Sequence, residues 1–435
     1  TGEIGMNVNL YGHHDNWLMV DCGVTFNVPL DASHDNTPGK LTHNMVTADL
    51  SFIAARKHNL CGLVLTHAHE DHLGAVINVW EQLQCPIYAT PFTAEVLRRK
   101  AYRANIEYDL PIVIVHAGNT LDIGPFTVEW IATTHSIPEA NALLITTAVA
   151  NILHTGDWKI DHNPVVGERF NTKLFKQLAN ENITAMVCDS TNATKAGFSN
   201  SEKACERGLG ELVAKATGRV VISCFASNIA RLITIAKIAQ ATNRYLCLIG
   251  PALENMVSVA RYTGYWPEDL TITPRRHIGY LPKHEVLIVA TGSQGEPRAG
   301  MYKLALNQHR DCDLDENDTV IFSSIVIPGN EKSIEKLVTL LKERGVNVIQ
   351  SENSEHTIHA SGHPNEDDLT AMFKWVNPKC VIPVHGEPQH LAACGQIALN
   401  SGIPHTMVGL NGDLYRLSPG FSIKRQAIRA GRVAL

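Results

Sequence analysis

Apolar residues in the first part of the chain recur at every second position or in short β-branched runs. "NVNLYG" and "NWLMVDCG" flank the turn-forming "HHDN", and "PIVIVHAG", "FTVEWIATTH" and "ALLITTAVANILHTGD" repeat the pattern between Gly, Asn and Asp breaks. Two stretches, "LGAVINVWEQL" and "PFTAEVLRRKAYR", switch to helical spacing. Strands with helices laid over them predict an α+β layered arrangement. After "DSTNATKAGFSN" the rhythm changes. "SEKACERGLGELVAKA", "NIARLITIAKIAQAT", "PALENMVSVARY" and "NEKSIEKLVTLLKERG" read as helices, alternating with the buried strands "GRVVISCFA", "YLCLIG", "EVLIVATG" and "DTVIFSSIV". That alternation predicts an α/β unit, a parallel sheet with helices on both faces. Beyond "VNVIQSENS" the chain returns to His-rich loops, "IHASGH" and "IPVHGE".

Composition narrows the class without choosing a substrate. At 435 residues with 44% apolar content the chain is globular and too long for one core, so at least two domains are expected. No apolar run is long enough for a membrane helix, and no charged-then-apolar leader precedes "GEIGMNVNL". The ten cysteines form no C-x-x-C pair and sit mostly in apolar runs, which predicts reduced, buried thiols and a cytoplasmic location. A net charge of −6 argues globally against phosphate-rich partners. Bound divalent ions would reverse that sign locally.

The chemistry concentrates in "LTHAHEDHLGA". His67 and His69 are two apart at the end of a strand, so in extended backbone both imidazoles point to one side and can reach one ion. Asp71 and His72 follow at the start of a helix and point elsewhere, which suits a second ion nearby. A surface histidine cluster is the plain alternative. Three strand ends downstream weaken it, because "IATTHSIPEA" ends on His135, "ILHTGDWKID" on Asp157 and "CVIPVHGEPQ" on His385. Such groups are rarely buried without a partner, and a metal is a natural one. For any single one of them a satisfied edge histidine or a helix-capping aspartate is as good a reading.

With these residues the chain resembles the metallo-β-lactamase superfamily. "THAHEDH" matches its H-x-H-x-D-H signature, and "VDCG" (Asp21), His135, Asp157 and His385 stand in the family's order. "DSTN" (Asp189), "IHASGH" (His363) and "PVHGE" (His385) are similar to the three extra motifs of the β-CASP nucleases. "GEIGMN", "HSIPE", "TGDWK", "FASNIARL", "ATGSQGEP" and "PGNEKSI" resemble the ribonuclease J branch. The resemblance implies an αββα sandwich made by residues 1–198 and 346–435, interrupted by an inserted β-CASP α/β domain at 199–345. It also implies His67, His69 and His135 on one ion, Asp71, His72 and His385 on the other, and Asp157 bridging. Asp21 would orient ligands from behind, and Asp71 counts with His363 and Asp189 among the catalytic residues. Two ions about 3.5–4 Å apart can clamp both the attacking and the leaving oxygen of a phosphodiester. Imidazoles mixed with carboxylates suit Zn²⁺, with Mn²⁺ also compatible.

A phosphodiesterase needs a proton donor for the departing sugar oxygen. His363 is that candidate, with Asp189 placed to orient its ring; a structural histidine is the alternative. His359, Ser361 and Gly362 precede it, and an open glycine N–H beside a hydroxyl makes a phosphate seat. Ser227 and Asn228 begin a helix, where a 5′-monophosphate could rest, or where they serve as a plain cap. "RRKAYR" and "PRRH" could touch an RNA backbone, but a solvated helix face is the commoner meaning of such runs. "GSQGEP" lacks the lysine of a phosphate-binding P-loop. The expected activity is RNA hydrolysis, with 5′-to-3′ exonuclease and endonuclease action implied by the resemblance. The rivals are a small-molecule hydrolase of the same superfamily and a non-catalytic RNA-binding partner. Relatives of this branch continue into a small C-terminal domain, whereas this chain stops at "AIRAGRVAL"; a homodimer or higher homo-oligomer is expected.

Overall fold

In the computed structural model, residues 2–28, 43–327 and 329–435 are described; Pro328 of "PGNEKSI" lies outside them. The first hairpin follows from its turn. His14 and Asp15 both have positive φ (47° and 60°), the combination whose twist matches two antiparallel strands. Asn9–His13 accordingly pairs with Asn16–Val20. The second of these continues into Leu60–Val64, Ile87–Ala89 and Ile112–Ile114, completing a five-stranded sheet. Facing it, a seven-stranded sheet runs in spatial order His405–Thr406, Cys380–Val384, Ala185–Asp189, Asn151–His154, Asn141–Thr146, Phe126–Ala132 and Thr120–Ile123. One dry layer joins the sheets, where Leu18, Val20 and Val64 meet Val128, Trp130, Leu143 and Ile382. The helices Val76–Leu83 and Pro91–Arg103 cover one outer face, and Thr172–Gln177, Glu366–Val376 and Pro388–Asn400 the other. The expected αββα sandwich is the observed one.

Between the sandwich segments, Val220–Ser223, Tyr245–Ile249, Val286–Ala290, Thr319–Phe322 and Asn347–Ile349 form an all-parallel sheet. Its central strands are buried on both faces, as parallel strands between helices must be. Its last strand lies past residue 345, where the inserted unit was expected to end. The helix Glu331–Glu343 is the crossover that brings Asn347–Ile349 back parallel to Thr319–Phe322, so the βαβ unit closes only there. A second difference is local. "LGAVINVWEQL" is not one helix but Glu70–Leu73 and Val76–Leu83. The Ala75 amide donates to Cys22 O (3.0 Å) instead of to its own helix, and this opens the turn.

Two contacts, one half-buried and one buried, fasten the inserted unit to the sandwich. The Glu139 carboxylate accepts from Phe92 N (2.7 Å) and from the Tyr265 hydroxyl (2.9 Å). Arg231, fully buried, forms an ion pair with Glu202 (2.9 Å) and donates to Ile358 O (3.2 Å), just before the "HASGH" loop. Every cysteine is a free thiol, and all but the half-buried Cys61 are buried. Among the described residues no helix is long and apolar enough to cross a membrane.

Candidate metal centre

The C-terminal edges of the sandwich strands converge on one pocket. Leu60–Val64 delivers His67, His69, Asp71 and His72; Phe126–Ala132 leads to His135, Asn151–His154 to Asp157, and Cys380–Val384 to His385. The side chains of His67, His69, His135 and Asp157 form one group, and those of Asp71, His72, Asp157 and His385 another, with donor atoms within 4.8 Å of one another in each. Asp157 Oδ2 belongs to both, lying 3.7 Å from His67 Nε2, 3.8 Å from His135 Nε2 and 3.2 Å from His72 Nε2.

Hydrogen bonds on the far side of each ring decide which nitrogen faces inward. His135 Nδ1 is 2.6 Å from the Gly362 carbonyl, which can only accept, so Nδ1 carries the proton and Nε2 is a bare lone pair. Thr66 donates its hydroxyl to Asp21 Oδ2 (2.8 Å) and so accepts from His67 Nδ1 (3.0 Å), which leaves His67 Nε2 bare. Both bare nitrogens stand 3.0 Å from His69 Nδ1, which could donate to only one of them. Three inward lone pairs at this spacing fit a cation. Burial, then the neighbouring imidazoles, holds His67 and His135 well below the usual histidine pKa, and burial takes His69 to about 4, so all three keep the neutral, ligating form.

The second group has a different charge balance. His72 Nδ1 donates to Asp21 Oδ2 (2.7 Å), and the Nε2 atoms of His72 and His385 face Asp71 Oδ2 at 3.6 and 3.0 Å. Burial lowers the His72 pKa, but Asp157, Asp71 and Asp21 outweigh it and hold it well above the usual value. Burial raises Asp157, but His385, His72 and His363 outweigh it and hold that carboxyl well below its usual range. The carboxylates thus draw positive charge to this group, which a divalent ion bound there would supply. Asp21 (φ 63°) and His385 (φ 55°) adopt the left-handed region that non-glycine residues avoid, a strain typical of functional sites.

Beside the metal donors, His363 Nδ1 lies 2.8 Å from Asp189 Oδ2 and 3.8 Å from Asp157 Oδ2. Burial pushes the His363 pKa down, yet Asp189 and Asp157 more than compensate, raising it to about 9. Bound cations on Asp157 and Asp71 would pull it back toward neutrality. Gly362 fits because a Cβ there would stand 2.4 Å from His135 Cε1. Both ring nitrogens of His359 are buried without a hydrogen-bond partner, and burial, then Arg231, brings its pKa to about 3.

Asn228 does not present its side chain to a ligand. Its oxygen caps the helix Ile229–Ala241 by accepting from Arg231 N (2.8 Å), and its amide nitrogen faces Glu202 Oε1 (3.4 Å). The phosphate expectation there narrows to Ser227. In the basic runs, Arg99 pairs with Glu95, Lys100 with Glu70 and Arg275 with Asp311. Sequence reasoning missed Thr66 and Thr191, which hold His67 and His385 (Thr191 Oγ1 to His385 Nδ1, 2.6 Å), and Asn192, which touches Ser361. It also missed the contact of half-buried Tyr11 with buried His154 (2.8 Å), near Asp157. The hydroxyls of "LTH" and "DST" beside charged motif residues were the available signal.

Comparison with known proteins agrees with the fold and narrows the family. Residues 16–175 match the beta-lactamase superfamily domain, 217–341 the ribonuclease J beta-CASP domain, and 354–407 the Zn-dependent metallo-hydrolase RNA specificity domain. The chain is 42% identical to a ribonuclease J of Sinorhizobium meliloti over 97% of its own length and 73% of the relative's. Against one from Helicobacter pylori strain B128 it is 34% identical over 99% of its length and 61% of the relative's. A crystal structure of a protein of unknown function from Enterococcus faecalis V583 shares the fold (TM-score 0.63, 16% identity, 94% of this chain and 96% of that one). With its metallo-β-lactamase domain and β-CASP insert, the chain belongs to the ribonuclease J family.

Proposed function

We propose that the pocket hydrolyses RNA phosphodiester bonds with two divalent ions, most simply Zn²⁺, working as a 5′-to-3′ exonuclease with endonuclease activity in RNA maturation and decay. The observation that carries this reading is the pair His363–Asp189 standing beside two donor groups that share one Asp157 oxygen. Five imidazoles and two carboxylates suit Zn²⁺, and the match to a Zn-dependent RNA specificity domain supports it. When bound, the ions supply Lewis acidity, activating water and neutralising phosphate charge.

The remaining work falls to the chain itself. Asp189 accepts from His363 Nδ1, which directs Nε2 toward the leaving sugar oxygen, so His363 acts as general acid. His359, Ser361 and the Gly362 N–H seat the phosphate, and Ser227 with the helix start at Ile229 offers a place for a 5′-monophosphate. Asp21, Thr66 and Thr191 keep the imidazoles turned inward. Free thiols fit a reducing, cytoplasmic setting, and a homodimer is the assembly proposed.

The test digests 5′-labelled and internally labelled RNA carrying 5′-monophosphate or 5′-triphosphate ends, with and without chelator. Chelator-sensitive release of mononucleotides and internal fragments is expected; turnover of a lactam or lactone but not of RNA would reverse the reading. His363→Ala should keep its metal and lose ~10²- to 10⁴-fold in cleavage rate. A wild-type rate in that variant would remove His363 from the acid role.

A further inference from the structure

Asn192 is 2% exposed, and its side chain reaches across 169 residues of sequence to the loop that carries His363. Its Nδ2 lies 2.8 Å from Ser361 Oγ and 3.4 Å from the His363 carbonyl oxygen. A carbonyl can only accept, so the atom facing it must be the amide nitrogen, and the orientation of the Asn192 amide follows from its surroundings. The same Ser361 oxygen also accepts from His363 N (3.3 Å).

A hydroxyl oxygen has two lone pairs and one proton. Here both lone pairs face N–H donors, so Ser361 can interact further only by donating. Among the described residues nothing accepts that proton. Ser361 is half-buried, and the next two residues touch the metal pocket: Gly362 O binds His135 and His363 lies 3.8 Å from Asp157. The acceptor missing from the protein is therefore sought in the cleft.

We propose that Asn192 is a positioning residue that fixes Ser361 as an obligate donor to a non-bridging oxygen of the RNA phosphate. This deepens the RNA-hydrolase reading and rests on it. Without Asn192 the hydroxyl regains its rotamers and can accept as well as donate. With a carboxylate in its place, the Ser361 proton is drawn away from the substrate and the His363 carbonyl meets a like charge.

The test is a double-mutant cycle on the metal-loaded enzyme, using Asn192→Ala, isosteric Asn192→Asp, Ser361→Ala, and Asn192→Ala combined with Ser361→Ala. Metal content, kcat and KM on 5′-monophosphorylated RNA, and the inhibition constant of uridine 5′-monophosphate are measured for each. Ser361→Ala and Asn192→Asp are expected to lose ~10- to 100-fold in kcat/KM, the worth of a hydrogen bond to a charged group, and to weaken nucleotide inhibition while keeping wild-type metal. Asn192→Ala should lose less alone, and within about twofold of nothing once Ser361 is truncated. An equal Asn192→Ala loss in both backgrounds, or a wild-type Asn192→Asp enzyme, overturns the proposal. A wild-type protein that cleaves no RNA overturns the reading beneath it, a result distinct from additive variants of an active enzyme.

Discussion

The two walls of the pocket are built in opposite ways. The wall carrying His67, His69, Asp71 and His72 comes from one six-residue loop whose backbone is stitched to its neighbours. Cys22 N donates to His72 O (2.6 Å), Asn7 N to Asp71 O (2.8 Å), and the Asp21 carboxylate accepts from Thr66 N (2.8 Å). The facing wall draws on Asp189, Thr191, Asn192, Ser361 and His363, contributed by segments about 170 residues apart and joined mainly through side chains. Its loop is braced from behind by the inserted unit, where Ser323 Oγ (2.6 Å) and Arg231 both donate to Ile358 O. The first wall needs only the sandwich; the second needs the insert as well. Damage to the second wall should therefore fall more on proton donation than on metal retention, although its Gly362 and Thr191 also hold the metal-facing rings of His135 and His385.

Asp157→Ala should defeat the division altogether. Its Oδ2 is common to both donor groups, so metal content by mass spectrometry and RNA cleavage should both fall to background. Retention of one full equivalent of metal would show the groups to be independent. Arg231→Met tests the second wall alone. Leaving Glu202 buried without its partner should cost ~3–5 kcal/mol in urea unfolding, and Arg231→Met combined with Glu202→Met should recover much of that. In the folded single variant, cleavage should fall further than metal content; a parallel loss would mean the brace serves both walls. A smaller effect sharpens the comparison from the first wall. In the metal-free protein Asp157, Asp71 and Asp21 raise the His72 pKa, so protons compete with a divalent ion for this group. Loading should therefore release protons, seen as buffer-dependent heats in calorimetry, and apparent affinity should weaken as pH falls. Heats independent of the buffer would contradict this.

The same contrast explains what could be read from the sequence. His67 and His69 announce themselves by their two-residue spacing, and His135, Asp157 and His385 by ending apolar strands. The α+β layering and the parallel sheet follow from residue periodicity, whereas the αββα sandwich is implied by the resemblance of the motifs. Thr191 and Asn192 were silent, because a threonine or asparagine in a turn has many local uses and their partners here lie 194 and 169 positions away. Asn228 was misleading for the converse reason: one residue type serves equally as cap and as ligand. The break at Gly74 was invisible because the competing acceptor, Cys22 O, comes from a distant strand.

Glu139 adds a mechanical consequence. It lies four residues beyond His135, and its carboxylate is gripped at once by the start of the helix Pro91–Arg103 and by Tyr265 of the insert. Any displacement of the insert away from the sandwich would therefore pull on the loop that begins at the metal-facing His135. The position of the insert and the seating of one metal-facing ring are thus linked through a single carboxylate.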